Sequence, residues 1–428
     1  MTTAELTRVG RRRARTAPPD RTEPPTPADA PPAAAEQATA TLHVHAGRVL
    51  ALDALRGLVI LLMLLVNNLA LDTATPTQLA HAPWNGGVRV ADLVYPWFLF
   101  CVGVAIPFSM AGSRRRGWPA WRVTLRVLSR TAILVLLGCL LDSSLSKRPV
   151  LKLGVLQMIG LSYLVGALLY ELSAGRRMLV AGALLGLHWM ALKLLPIPGV
   201  GTGVLAEHDN FVQHLNRTYL EAVHLAGLPS LVPLAALVLI GSVIGDLLRQ
   251  PRSTAWLQSP RARRQARHPE ESEGTADPGT HRIASLLVAG VGLLAAAGLW
   301  SLSIGFNRLV WAPSFVLLAA ATGTVALALL YVLIDTTGWR SWAYPLLVFG
   351  SNAVLAYVAP ILVKAFILQE WQVRVGPGQL VPVLQWWLDF WVAHAGRIAG
   401  GWLYTLSYLA VWWGVLWHLY RKQLFLRV

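Results

Sequence analysis

Ten runs of about twenty predominantly apolar residues take up most of the chain, at roughly 50–71, 91–112, 124–144, 151–171, 177–196, 228–249, 282–304, 311–335, 343–368 and 402–420. Runs of that length suit membrane-spanning α-helices, because hydrocarbon offers a backbone N–H or C=O no partner beyond its own segment. Their apolar residues are continuous rather than alternating, which excludes a closed β-barrel. The chain therefore reads as an all-α integral membrane protein, a polytopic bundle of about ten transmembrane helices. Composition agrees: 55% of residues are hydrophobic and 14% charged, against about 25% charged in a soluble globular protein. The stretch 380–395 is shorter and interrupted, and its Trp386, Trp387 and Trp391 suit a helix lying in the membrane interface.

Two stretches stand apart from the spans. Residues 1–47, rich in Pro, Ala, Thr and Arg, lack the apolar centre of a signal peptide and read as a disordered, basic cytoplasmic arm. Residues 48–428 form the transmembrane domain, with an Arg-rich cytoplasmic loop at 250–281. A net charge of +16 would ordinarily raise nucleic acid as a partner. Here the basic residues cluster between apolar runs, the pattern of membrane topology, so the bilayer and not nucleic acid is the expected partner. With a cytoplasmic N-terminus, inside segments hold 26 of the 37 Lys and Arg and outside segments 10. That bias predicts a multi-pass protein of the cell membrane with both termini cytoplasmic and the loops 72–90 and 197–227 outside. Cys101 and Cys139 lie within apolar runs, and His208, His214 and His224 are spaced six and ten apart; neither set matches a familiar metal-ligand motif, and no metal is expected.

Polar side chains within spans are the first candidates for chemistry, since each costs about 2–4 kcal/mol at membrane depth without a partner. The first run carries Asp53, Arg56, Asn67 and Asn68. Asp53 and Arg56, three apart, can pair on one helical face. Asn67 follows Arg56 by eleven residues, three turns along nearly the same face, so one stripe points polar groups inward from end to end. The loop beyond holds His81 in His-Ala-Pro-Trp84-Asn85-Gly-Gly, and the next run opens at Asp92, with Pro96 and Trp97 after it. Asp92 enters a helix N-terminus, where its charge is favourable. Trp84 and Trp97 are candidate walls of a site. His188, Lys193, Asp246, Asp335 and Lys364 sit near the ends of runs, where snorkelling toward water accounts for them.

The run Leu52-Asp53-Ala-Leu-Arg56-Gly57, then Val66-Asn67, His81-Ala-Pro-Trp84-Asn85-Gly86 and Ala91-Asp92-Leu-Val-Tyr-Pro96-Trp97-Phe98 resembles the lysosomal heparan-alpha-glucosaminide N-acetyltransferase family and its bacterial relatives. Further matches are Gly154-Val-Leu-Gln157, Asn210, Leu215-Asn-Arg217, His224-Leu225, Asn307-Arg308, Gly350-Ser-Asn352-Ala and Leu419-Tyr-Arg421-Lys422. Three positions depart from the family's pattern: Met158 where arginine is common, Asn216 where aspartate is usual, and Ala226-Gly-Leu-Pro229 where an Asp-Pro-Glu-Gly segment often stands.

The resemblance implies a transmembrane acyltransferase that moves an acetyl group from cytosolic acetyl-CoA to an amine, a glucosamine-type amino sugar on a small molecule or glycan, on the far side of the membrane. It implies His81 as the active-site residue and Asn67 as its neighbour. Asp53, Arg56 and Gln157 then fall to donor binding, and Trp84, Asn85, Asp92, Trp97, Asn210 and Arg217 to the acceptor or the site wall. Acetyl-CoA is a substrate, no permanently bound cofactor is expected, and a homodimer is left open. The chemistry is compatible with the residues: an attacking amine must lose a proton, and imidazole titrates near neutral pH. The Asn67 amide and backbone amides near Gly86 could receive the oxyanion. No Ser or Cys nucleophile with a nearby base is evident, so any covalent intermediate would be an acyl-histidine. The chief alternative is a transporter or flippase of a polar or lipid-linked solute, which also needs polar groups at depth; a noncatalytic membrane scaffold is a third reading. Acetyl transfer dependent on His81 separates the first from both.

Overall fold

The computed structural model describes residues 49–84, 86–249, 278–377 and 379–426. The arm 1–47, nearly all of the Arg-rich loop and Asn85 lie outside the described residues. The helices are α1 (Leu50–Asn67), α2 (Val90–Arg115), α3 (Ala120–Ser146), α4 (Val155–Leu168), α5 (Ala174–Leu194), the short α6 (Phe211–Leu215), α7 (Leu231–Arg249), α8 (Pro278–Ser301), α9 (Pro313–Leu330), α10 (Tyr344–Ser351), α11 (Ala353–Val363), α12 (Val383–Ala395) and α13 (Arg397–Arg421). Two small antiparallel hairpins, β1 (Pro196–Ile197) with β2 (Gly201–Thr202) and β3 (Gln372–Gly376) with β4 (Gln379–Pro382), lie in the connections.

Each of the ten apolar runs becomes helical, but not all as simple spans. Among the described residues seven helices, α1, α2, α3, α5, α7, α8 and α9, are long and apolar enough to cross a membrane. An eighth crossing is broken: Ser341–Ser351 and Ala353–Leu368 meet at a bend of 70°. Residues 151–154 are non-helical, so the α4 run is shortened to Val155–Glu171. α13 has the length, at 25 residues, but its Trp, Tyr and Gly content dilutes its hydropathy below that of the other spans. The stretch 380–395 forms α12, which packs against α13 through Trp387 on Tyr404 and Tyr408.

The bundle has an inner and an outer layer. More than half of each apolar window in α1, α2, α7 and α9 is buried, against less than a third in α3, α5 and α8, as expected of helices with one face on lipid. α1 is central, touching α2, α9, α10, α11 and α13. Without a hydrophobic drive between helices in lipid, close packing rests on small residues that let backbones approach. Gly57 on α1 faces the Leu346 carbonyl, and Gly350 on α10 faces the Asp53 carbonyl, so a Cβ at either position would collide with backbone. α2 and α7 meet likewise through Gly103, Gly241 and Gly245, the last two one helical turn apart.

Helix ends are closed from a distance. Asp335 accepts from the backbone N–H groups of Leu50 (3.2 Å) and Ala51 (2.8 Å), capping α1 from 285 and 284 residues away. This corrects the snorkelling reading of Asp335, because two orphan helix donors hold the carboxylate inside. At the elbow between α10 and α11, buried Asn352 donates to Leu424 O (2.9 Å) and accepts from Leu426 N (2.8 Å). The end of the chain thereby fixes the broken span.

Replacing Gly57 with Val should force α1 and α10 apart and cost about 1–3 kcal/mol. A clear fall in the thermal midpoint of the detergent-solubilised protein checks this, with Gly292→Ala, a position with open space around it, as a control that stays near the parent.

Candidate active site

The loop between α1 and α2 is organised by one carboxylate. Asp92 sits three residues after Arg89 at the head of α2, and its Oδ2 accepts from Arg89 N at 3.0 Å, closing the helix's first turn. The Ala82 N–H reaches both carboxylate oxygens, at 3.4 and 3.3 Å. His81 Nδ1 lies 3.0 Å from Asp92 Oδ1, and Arg308 Nε forms an ion pair with the same oxygen at 2.8 Å. Only 1% of the Asp92 side chain is exposed, whereas 50% of His81 is. In the neutral imidazole, an Nδ1 that donates to this carboxylate leaves Nε2 with the lone pair. Arg89 Nη1 donates to His81 O at 3.2 Å, steadying the backbone behind the ring.

Aromatic residues and a strained turn surround this cluster. Trp84 and Trp97 pack on a buried group that includes Leu93, Val310 and Phe315, and Trp97 Nε1 donates to Thr322 Oγ1 on α9 at 3.0 Å. The turn before α9 supplies Arg308 and also Asn307, whose Nδ2 donates to Trp84 O (3.2 Å) while its Oδ1 accepts from Leu309 N (2.8 Å). Trp311 in that turn has φ +52°, a left-handed conformation rare for a bulky side chain. Its ring meets Tyr95 of α2 edge-on at 5.6 Å.

Below this lies a cavity walled by α1, α2, α3, α4 and α11. Its lining is apolar (Met63, Phe98, Ala105, Ile159) except for Cys101, Arg56, Arg130, Tyr163 and Tyr357. Arg56 donates to Asp53 Oδ1 (2.9 Å) and, through Nε and Nη2, to Gly350 O (2.9 and 2.5 Å). The glycine contact between α1 and α10 therefore also delivers the carbonyl that anchors Arg56. Arg130 stacks on the Tyr163 ring at 4.7 Å in the cavity wall, and its Nε is buried with no hydrogen-bond partner among the described residues.

A second cavity lies toward the Asn67 end of α1 and shares Met63 and Tyr357 with the first. Asn67, Asn68, Lys364 and Gln369 border it. The stripe from Arg56 to Asn67 thus runs along both cavities. Lys364 Nζ donates to Asn67 O (3.2 Å) and Asn68 Oδ1 (3.0 Å), turning into the bundle rather than outward to water. Asn67 and His81 occur at the same end of α1 and α2, but no hydrogen bond joins them among the described residues.

Most of the remaining sequence candidates have structural partners. Gln157 is buried and donates to Asp142 Oδ2 (3.0 Å), bracing α4 against α3 without lining either cavity. Asn210 caps α6, accepting from Gln213 N (2.9 Å) and donating to Ala206 O (2.9 Å). Arg217 is exposed in the turn beyond. His188, read as snorkelling, is buried with Nε2 2.8 Å from Val310 O. Asp246 faces Arg177 and Tyr170 inside the bundle. Among the described residues no group of three or more His, Cys, Asp or Glu is placed to hold a metal ion.

Residues 48–269 match the family model for the heparan-alpha-glucosaminide N-acetyltransferase catalytic region. The chain belongs to this family. The human heparan-alpha-glucosaminide N-acetyltransferase is 27% identical over 399 residues, covering 79% of this chain and 56% of the human protein. The mouse protein of the same name is 33% identical over 149 residues, 33% of this chain and 22% of its own length. The chain spans little more than half of the human relative. In this family member, Arg308 and Arg130 are the site groups that reading residues one by one missed. Arg308 occurred only as a weak match, and nothing in linear order ties it to Asp92, 216 residues earlier.

Substituting Asp92 with Ala leaves Arg308 without its counter-charge and two backbone N–H groups without their acceptor. Breaking a buried ion pair costs about 3–5 kcal/mol, and partial exposure of Arg308, at 33%, puts this one at the lower end. Chemical denaturation should show that loss, and Asp92→Asn should recover part of it while leaving His81 free to take the other tautomer.

Proposed function

We propose that the protein is a transmembrane acyltransferase that carries the acetyl group of cytosolic acetyl-CoA to an amine on the far side of the membrane, a glucosamine-type amino sugar. The observation that carries this reading is the His81–Asp92–Arg308 cluster, with Nδ1 of a half-exposed ring held by the carboxylate, standing above a cavity with two arginines. The family and the names of its human and mouse members supply the acetyl donor and the sugar acceptor.

In this mechanism the acceptor nitrogen attacks the thioester carbonyl carbon and its proton passes to His81 Nε2. The tetrahedral oxyanion collapses, the C–S bond breaks, and His81 returns the proton to the departing thiolate, leaving an acetamide and free CoA. Asp92 stabilises the imidazolium between these steps and holds the ring's orientation. Asn67, at the end of the Arg56 stripe, is the amide assigned to the oxyanion. Arg56 and Arg130 supply positive charge for the donor's phosphates, and the apolar wall suits its uncharged arm. Arg56 and Asn67 are about 16 Å apart along α1 at 1.5 Å per residue, comparable with the reach of such an arm. Asp92 lies six residues from the cavity-lining Phe98, about 9 Å along α2. The sidedness rests on the basic-residue bias: both termini in the cytoplasm, the His81 loop outside, and the protein in the cell membrane.

His81→Ala should lower acetyl transfer by about 10²–10⁴-fold and leave acetyl-CoA affinity within a few-fold. Arg56→Ala should instead weaken donor binding. Transfer from labelled acetyl-CoA in purified protein, alongside direct donor binding, separates the two effects; solute accumulation without thioester cleavage would favour a transporter. Reporter fusions after residue 115 should read cytoplasm and one after residue 205 outside; the reverse pattern would overturn the two-sided scheme.

A further inference from the structure

The cavity at the Asn67 end of α1 is cationic. Of its lining residues only Lys364 is charged, and no carboxylate borders it. Lys364 makes no ion pair among the described residues; its two hydrogen bonds go to the neutral oxygens of Asn67 and Asn68. An ammonium has three donors, so one remains. The Asn67 and Gln369 side-chain amides make no hydrogen bond among the described residues, and the Tyr357 hydroxyl lies on the same wall. Glu370, next to Gln369, is already paired with Lys147, the residue after α3, at 2.5 Å, which removes that carboxylate as a counter-ion for Lys364. A half-buried ammonium with only neutral partners is poorly compensated. Several donors around one cation make a site for an oxyanion, a carboxylate, sulfate or phosphate ester.

We infer that Lys364, with the amide of Gln369, forms an anion-binding subsite beside Asn67 that selects an acceptor bearing a negative group beside its amine. The identity of the ligand as acceptor rests on the acetyltransferase reading; the anion site itself does not. Placement favours the acceptor over the donor. This cavity meets the arginine-lined one only at Met63 and Tyr357, and it opens at the end of the bundle from which the His81 loop departs. A ligand whose anion is held by Lys364 keeps its amine near Asn67.

The test uses the full chain purified in maltoside micelles without charged lipid, and calorimetric titration with glucosamine and with glucosamine 6-phosphate. The expected result is at least tenfold tighter binding of the phosphorylated sugar, with inorganic phosphate competing. Lys364→Met should shrink that preference to less than threefold without changing acetyl-CoA affinity, and Lys364→Arg should retain most of it. Equal affinity for the two sugars in the parent, or an undiminished preference in Lys364→Met, would overturn the subsite. Repeating the titration in nanodiscs of phosphatidylcholine with and without phosphatidylglycerol identifies the source of the anion. Displacement of the sugar phosphate by the anionic lipid, lost in Lys364→Met, assigns the site to a lipid headgroup; no displacement assigns it to a soluble ligand. Failure of acetyl transfer with an intact anion preference would remove the catalytic reading and leave this one standing.

Discussion

One buried carboxylate joins three separate parts of the chain at the His81 end of the bundle. Asp92 receives the first turn of its own helix, the loop that carries His81, and an arginine from the turn before α9. Each of these partners would be costly without it. The N–H groups of a helix start need acceptors, an arginine beside hydrocarbon needs a counter-charge, and an imidazole needs its proton fixed to one nitrogen before the other can act as a base. Because a single group answers all three needs, the geometry of the candidate base and the stability of the helix start cannot vary independently.

The same economy recurs deeper in the bundle. Gly57 and Gly350 bring α1 and α10 into backbone contact, and the carbonyl exposed by that approach anchors the guanidinium of Arg56. Close packing and the orientation of a cavity-lining charge are here one event. Arg130 differs, with an aromatic ring on one side and an Nε that has no hydrogen-bond partner among the described residues.

Much of this was legible in linear order, and what was not has a physical reason. The spans follow from twenty-residue apolar runs, and the Arg56-to-Asn67 stripe from helical periodicity alone. Those signals are local, and the cavities do border that face. Asp92 was visible as a helix-start acid, but its pairing with Arg308 is a contact across 216 positions that no periodicity encodes. Arg130 was not singled out, because nothing in linear order separates it from Arg126 one turn earlier; only the packing of α3 against α4 and its Tyr163 puts it in the cavity wall. Asp335, His188, Asp246 and Lys364 were read as reaching for water, since end-of-helix polar residues usually do. Each found a partner inside, from backbone donors to the Asn68 amide. Span length misled at 343–368, where composition allows one straight helix and the structure has two.

That broken span makes the end of the chain part of the interior. α11 contributes Ala353, Val354 and Tyr357 to one cavity and Ala356, Ile361 and, just past its end, Lys364 to the other. Its starting angle is set by Asn352, which is clasped by Leu424 and Leu426. Residues 424–426 therefore act as a latch: until they dock, the wall common to both compartments has no fixed direction. Compartments of this shape exist only once that segment is in place, so the helices before it, inserted alone, would still lack them.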